Sequence, residues 1–416
     1  MNKFDVLKAP ELSLKDIGDL INNSEDFIIY GETGLVAKVK RVLNKINKRV
    51  VRSVDLGKGK DLFERGVYGA GKIDLKGAKV IIASYHELEI AKRLAAKYNL
   101  AYYRDYVFFD QVKMVVDKNY LDAFGRDFYV FFKKEEDKFE KVMNILGDNY
   151  SKEMYKKIIN FRINFFNPEE INLEQIPTPP EVQREYESGA DRYVSMVSSS
   201  IPEQLRRDIA FKISLDQYSY FDIVTARGKK IIFNVGAYNN TSVMFACFSP
   251  GGVVYAFEPQ VRMHQCNVEL AKTYSNIVPI NAGAWNKTGK VPFEIRESDI
   301  GGSTASRIDS KGYGEINVYR IDDFVASNNI ERVDFVKMDV EGVEIEALEG
   351  ARTTIRKHQP DLAISIYHKP EHLYSIPLLI KEMYPGYKIY ISHKYYNPTE
   401  TVCFATAEQT SRAYLK

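Results

Sequence analysis

The chain is poor in the residues that would tie it together covalently or carry it through a bilayer. Its three cysteines, Cys247, Cys266 and Cys403, are an odd number with no CxxC pair, so neither a disulfide framework nor a thiolate zinc centre is expected. All three read as small buried hydrophobes. No apolar run reaches the length that spans a membrane. The first residues, MNKFDVLKAPELSLKDIGDL, lack the apolar stretch of a signal peptide, so the expected location is the cytoplasm. An excess of one charge is missing as well: 58 basic residues face 56 acidic ones, a formal net charge of +2. That balance argues against nucleic acid as a main partner. No internal repeat is visible.

What is present is enough apolar surface for folded domains. Hydrophobic residues make up 45% and charged residues 27%, close to ordinary globular usage. A length of 416 residues exceeds what one core organises, so two domains and a connector are expected. The pattern divides the chain into a small Rossmann-like α/β domain over residues 1–110, a mainly helical connector over 111–228, and a larger α/β domain over 229–416. In the first, the apolar run Phe27 to Tyr30 leads into the turn Gly31-Glu32-Thr33-Gly34 and a helix. Further strands follow at Arg49 to Asp55 and Ala78 to Ala83, and the second of these precedes the helical segment ELEIAKRLAAKYN. The turn is GxxG, not GxGxxG, and supports dinucleotide binding only weakly. In the connector, charged runs such as KKEEDKFEKVMNIL read as solvated helix faces, and the prolines near Gln175 to Pro180 mark a linker or bend.

From Lys229 onward strands and helices alternate. Strands are expected at Lys230 to Val235, Gly252 to Phe257, Asn276 to Asn281, Val333 to Met338, Leu362 to Tyr367, Tyr387 to Ile391 and Thr401 to Ala405. Val291 to Arg296 and Ile316 to Arg320 read as an inserted hairpin, and the last two strands, joined by a turn at Asn397-Pro398, as a terminal antiparallel pair. The fold class is therefore α/β with a mostly parallel Rossmann-like sheet. Its closing antiparallel pair sets class I methyltransferases apart from nicotinamide-binding domains.

Four strand ends carry candidate chemistry. In Asn234-Val235-Gly236-Ala237-Tyr238-Asn239-Asn240-Thr241-Ser242 a strand gives way to a helix. Such a turn lets backbone approach a ligand, and the helix N-terminus offers free N–H groups to an anionic end. Glu258 lies about 20 residues beyond that turn at the next strand end, where an acid accepts hydrogen bonds from ribose hydroxyls. Asn281 and Ala282, with Gly283, follow the third strand and are placed near an adenine by position. In the segment VKMDVEGVE, Asp339 and Glu341 face the same cleft as Glu258 if ligands sit at the carboxyl ends of the strands. A helix cap is the competing role for Asp339, and Glu341 and Glu344 read equally as supporting groups or caps. His368, at the end of the next strand, suits a general base near neutral pH. Pro370 separates it from His372 and makes a shared helical metal face unexpected. No ligand cluster in the sequence requires a metal.

NVGAYNNTS, YAFEP, PINAGAW, FVKMDVEGVEIEALEGA and LAISIYHKPEHLYSIPLLI resemble, in order and spacing, the FkbM-type methyltransferases. The resemblance covers roughly the last 190 residues, and DVEG and YHKPE are its most specific parts. The chain also looks like longer members with a small Rossmann-like N-terminal unit and a helical connector ending near Gln217 to Phe221. Membership implies a class I methyltransferase fold, S-adenosylmethionine as cofactor, and O-methylation of a hydroxyl, commonly of a sugar in a glycan or glycosylated metabolite. It implies cofactor contacts at Gly236, Ala237 and Glu258, with Asn234, Tyr238, Asn281 and Ala282 as neighbours, and an acidic motif at Asp339, Glu341 and Gly342. Two positions depart: Asn234 stands where the family usually has Asp, and Asn240 where it has a second glycine. Asn tolerates left-handed backbone, and Asn234 keeps hydrogen-bonding capacity without the charge. Asp339 or His368 is expected to take the acceptor's proton. A nicotinamide-dependent oxidoreductase and a non-catalytic scaffold with a degenerate cofactor site are the rival readings. The expected partner is a small-molecule or glycan substrate, and self-association into a homo-oligomer is left open.

Overall fold

The computed structural model describes residues 14–31, 33–55, 78–83, 90–91, 94, 96, 99–100, 104–109, 111–112, 124–165, 177–178, 180–294, 307–308, 314–395 and 400–407. The chain divides into two compact units. One is drawn from Met1–Glu135 and Ile159–Ile176, the other from Glu136–Ile158, Pro177–Arg296 and Ala305–Lys416.

In the N-terminal unit β1 (Asp26–Gly31), β2 (Arg49–Asp55), β3 (Lys79–Ala83) and β4 (Tyr106–Phe108) form a parallel sheet of order β2-β1-β3-β4. The apolar runs Phe27 to Tyr30 and Val80 to Ala83 are buried. Strands covered on both faces read as such continuous runs, not as alternation. Helices α1 (Leu14–Asn23) and α2 (Thr33–Lys45) flank β1 in sequence. The turn at Gly31 to Gly34, the helix expected at ELEIAKRLAAKYN and the bend at Gln175 to Pro180 fall partly outside the described residues, and the turn at Asn397-Pro398 wholly so.

The segment between the sheets is helical, with α3 (Gly125–Ile145), α4 (Asn149–Asn164), α5 (Pro180–Gly189) and α6 (Glu203–Leu215). Pro180 opens α5, where its missing N–H costs nothing and its fixed φ suits the first turn.

The second unit is built on a seven-stranded sheet. Its strands are β5 (Ile231–Val235), β6 (Val253–Phe257), β7 (Ile277–Ile280), β12 (Phe335–Met338), β13 (Asp361–Ser365), β14 (Lys388–His393) and β15 (Thr401–Thr406). The order is β14-β15-β13-β12-β5-β6-β7. Every pair is parallel except those of β15 with β13 and β14. The expected terminal antiparallel pair is thus present, with β15 inserted between β13 and β14. Between β7 and β12 a small second sheet holds β8 (Gly283–Ala284), β9 (Gly289–Glu294), β10 (Arg307–Ile308) and β11 (Gly314–Tyr319). Its β9 and β11 pair antiparallel, which is the hairpin expected from sequence.

The reversal of strand order falls between β5 and β12, and a crevice at such a switch point is where open α/β sheets bind ligands. Helix α7 (Thr241–Phe248) follows β5, α8 (Val261–Ala271) follows β6, α9 (Ile321–Ser327) precedes β12, α10 (Glu344–Glu349) follows β12, and α12 (His372–Met383) follows β13. Between them lies α11 (Arg352–His358). Among the described residues no helix is long and apolar enough to cross a membrane.

Phe324 of α9 is the aromatic hub beneath this sheet. Its ring centroid lies 4.9 Å from Phe257, 5.6 Å from Tyr319, 5.7 Å from Tyr255 and 5.9 Å from Phe233. Removing a buried ring takes away both its transfer free energy and its neighbours' packing. Phe324→Ala is therefore expected to destabilise the C-terminal unit by about 3–5 kcal/mol. Urea denaturation followed by circular dichroism measures this, and a loss below about 1 kcal/mol would contradict the packing role.

Candidate active site

The turn after β5 is shaped by close backbone packing. Gly236 has φ +77°, and a Cβ there would fall on the carbonyl oxygen of Asp339. Only glycine permits both the left-handed backbone and that approach. The N–H groups of Gly236 and Ala237 both donate to the Phe257 carbonyl, at 3.0 and 2.9 Å. Tyr238 also has positive φ, 50°. Its N–H donates to Glu258 Oε2 at 2.9 Å, while Gln260 N–H donates to Oε1 at 2.9 Å. Burial pushes the Glu258 carboxyl up, and these two N–H groups and Lys337 oppose the shift. The side-chain amide of Asn281 donates to the carbonyls of Glu258 and Pro259 at 3.1 and 3.2 Å. Ala282 beside it is fully buried. The predicted cofactor residues Gly236, Ala237, Tyr238, Glu258, Asn281 and Ala282 therefore meet at the ends of β5, β6 and β7.

Asn234 lies underneath this turn and is wholly buried. Its amide donates to the Thr241 and Ser242 hydroxyls, each at 3.1 Å. Those hydroxyls donate onward, Thr241 to the Ala237 carbonyl at 2.6 Å and Ser242 to Asn267 Oδ1 at 2.8 Å. Asn267 in turn donates to the Tyr238 carbonyl. Asn234 thus braces the loop from below. Along the loop, Oδ1 of Asn239 and of Asn240 are buried without a hydrogen-bond partner, acceptors available to a cationic ligand group.

The second half of the site comes from the ends of β12 and β13. Asp339 Oδ2 accepts from Tyr218 Oη at 2.7 Å, and Oδ1 from Tyr367 Oη at 3.2 Å. Asp339 is not a helix cap, because α10 begins only at Glu344. Burial would raise its carboxyl, but Lys337, His368 and the Tyr218 hydroxyl bring it below the usual range. Lys337, an ammonium in an otherwise apolar strand, is buried. It donates to the Gly236 carbonyl at 2.6 Å and lies 4.0 Å from Asp339 Oδ2. Burial pushes it down, partly offset by Asp339. One lysine therefore ties the glycine turn to the acidic end of β12.

Glu344, at the start of α10, is completely buried. Its Oε1 accepts from the N–H groups of Val340 and Gly342 at 2.9 and 3.4 Å and lies 2.8 Å from His368 Nδ1. Its Oε2 lies 3.2 Å from His372 Nδ1. Although burial raises a carboxyl, the two imidazoles hold this one well below its ordinary value. His368 Nε2 points the other way, 3.5 Å from Asp339 Oδ1 and 3.6 Å from Glu341 Oε2. Burial by itself would lower the imidazole, but Glu344, Glu341 and Asp339 raise it to about 10. A free imidazole base near neutral pH was the expectation from sequence. In this setting the ring keeps its proton, because three carboxylates stabilise the cation more than burial penalises it. Burial pushes the Glu341 carboxyl up to about 7 against His368. Its side chain keeps 35% of its surface exposed, so solvent tempers that shift. Asp339, Glu344 and His368 each place a ligand atom within 4.8 Å of the others.

The sequence did not single out Lys337, Tyr218 or Tyr367 for the site. A lone lysine inside the apolar run VDFVKM was the one available signal. Gly236→Ala is expected to lower the thermal midpoint of the C-terminal unit, since a left-handed alanine alone costs about 1–2 kcal/mol and the Asp339 carbonyl must also move. Calorimetric melting checks this, and an unchanged midpoint would show that the turn relaxes freely.

Comparison with known proteins agrees with this arrangement. Residues 234–387 match the family described as Methyltransferase FkbM domain. A curated relative, the hexuronic acid methyltransferase AglP of Haloferax volcanii, is 27% identical over 128 residues, 30% of this chain and 52% of that protein. The chain thus spans about half the length of that relative. Among solved structures, the methyltransferase FkbM from Methylobacillus flagellatus KT superposes with a TM-score of 0.60 and 18% identity, covering 94% of this chain and 93% of that one. This likeness shows a shared fold. The likeness to the FkbM-type methyltransferases thus rests on residues 234–387, the segment that the family match covers.

Proposed function

We propose that the C-terminal unit binds S-adenosylmethionine across the ends of β5, β6 and β7 and transfers its methyl group to a sugar hydroxyl. The observation that carries this reading is the contact of Gly236 with the Asp339 backbone, which makes the cofactor turn and the acidic cluster two walls of one crevice. Glu258 would hold the ribose hydroxyls. The free N–H groups at the start of α7 would take the methionine carboxylate, and Asn239 and Asn240 its ammonium. The relative named as a hexuronic acid methyltransferase supports a sugar acceptor.

When bound, the cofactor supplies an electrophilic methyl on a sulfonium. The chain's own work is alignment of the acceptor oxygen and removal of its proton. Asp339 would accept the proton of the acceptor hydroxyl as that oxygen becomes the nucleophile. Tyr218, Tyr367 and His368 hold that carboxylate in place, and Lys337 keeps it beside the glycine turn. Asp339 and His368 thus remain the catalytic pair, with the carboxylate as acceptor and the imidazole as its partner.

Calorimetric titration separates the readings. S-adenosylmethionine is expected to bind and NAD is not, and Glu258→Ala is expected to weaken the first by at least tenfold. Binding of NAD alone would make the protein an oxidoreductase, and binding of neither would make it a scaffold. Asp339→Asn is expected to lower turnover on a hexuronic acid glycoside by about 10²–10⁴-fold, read by mass spectrometry of the methylated product. Near-normal turnover in both Asp339→Asn and His368→Gln would remove the pair from the mechanism.

A further inference from the structure

Resting on the methyl-transfer reading, we propose that Glu341 and His368 together hold a second hydroxyl of the acceptor, next to the one that Asp339 serves, so that the site selects vicinal diols.

The acids of the cluster differ in what they have left to give. Asp339 already accepts from the hydroxyls of Tyr218 and Tyr367. Glu344 is taken up by the N–H groups of Val340 and Gly342 and by two imidazoles. Among the described residues the Glu341 carboxylate accepts no hydrogen bond. Its side chain is 35% exposed, so a ligand can reach it.

The matching donor is His368. Its side chain is only 6% exposed, and Nε2 makes no hydrogen bond. That nitrogen points between Asp339 Oδ1 at 3.5 Å and Glu341 Oε2 at 3.6 Å. Both separations exceed the roughly 2.7–2.9 Å of a charge-assisted hydrogen bond. The surrounding carboxylates keep the ring cationic, so Nε2 carries a proton. A buried N–H without an acceptor is costly, and an oxygen brought to it is stabilised accordingly.

Of the groups an acceptor carries, a hydroxyl meets both demands. It accepts from the Nε2–H and donates its own proton to Glu341. A carbonyl or carboxylate takes the N–H but has no proton for Glu341, and an ammonium is repelled by the imidazolium. Asp339 Oδ1 and Glu341 Oε2 flank the same nitrogen, so hydroxyls on neighbouring ring carbons can meet them together. One then gives its proton to Asp339 while the other is held. The charge states are those of the methyl transfer itself, an anionic Asp339 beside a cationic His368.

The backbone supports a binding role for Glu341. The N–H groups of Val340 and Gly342 both turn onto Glu344, and Glu341 between them has φ +58°. Glycine or asparagine would take that left-handed conformation at lower cost. Strain of this kind collects at ligand sites, and here it fixes a carboxylate beside the unpartnered nitrogen.

The test measures methyl transfer by the full chain to methyl glucuronide and to its three monodeoxy analogues, by mass spectrometry. One analogue, still methylated, is expected to show KM raised at least tenfold with kcat within about threefold of the parent's, the sign of a lost binding contact. Glu341→Ala is expected to raise KM for the parent to the same degree and to add nothing for that analogue, because both changes remove one contact. Glu341→Gly, suited to the left-handed backbone, repeats the measurement in a chain whose fold it does not strain, and circular dichroism checks both variants. A parent KM unchanged in the folded variants, or losses that add for every analogue, overturns the diol contact and leaves the methyltransferase reading standing. Calorimetry with S-adenosylmethionine tests that reading separately, and its failure to bind ends both. Cofactor binding without methylation of the parent glycoside overturns the sugar acceptor and this contact together, but not cofactor binding.

Discussion

At the switch point of the large sheet, two neighbouring strands end in direct backbone contact, and the site is organised around that contact. Glycine at 236 lets the turn after β5 lie on the carbonyl of Asp339. Lys337 then reaches from β12 to the Gly236 carbonyl. The glycine turn and the strand end that carries the acids therefore cannot shift independently. Fixed geometry of this kind is what the proposed methyl transfer would need from the protein, because the reacting carbon would bring its own leaving group and alignment would be the principal remaining task.

The buried charges follow from the same contact. Asp339, Lys337, His368 and Glu344 form a chain of ionic groups in which each carboxylate meets a cation or a hydroxyl donor. Isolated, any of them would be expelled or neutralised on burial. Together they hold one another, and the imidazole of His368 is kept cationic in a place where its position in the sequence suggested a neutral base. The chemistry of the histidine is thus a property of its neighbours, and the three that decide it lie 24 to 29 residues earlier, across a strand and two helices.

Much of the architecture was legible before the fold was seen. The buried strands β5, β6, β12 and β13 read as apolar runs because parallel strands are covered on both faces. The inserted hairpin and the terminal pair were readable from short strands bracketed by turns. Glu258 was legible for a similar reason: strand, glycine turn, helix and a spaced acid are all local in sequence, and a βαβ unit permits few ways to assemble them. Tyr218 was not legible. It sits in the helical connector, far from any strand end, and only packing brings its hydroxyl to Asp339.

Local pattern thus determined which residues end strands and which turn must be glycine, since pleating, helix periodicity and backbone sterics act over a few residues. It also set the donors and acceptors present. Which carboxylate accepts from the backbone of the preceding turn, which ones surround His368, whether that ring is a base or a cation, and how a lysine inside an apolar strand is satisfied were decided by tertiary structure alone. The reason is physical: charge states and hydrogen-bond partners depend on distances of 3 to 4 Å between groups, and those distances exist only after β5, β12 and β13 have been laid side by side.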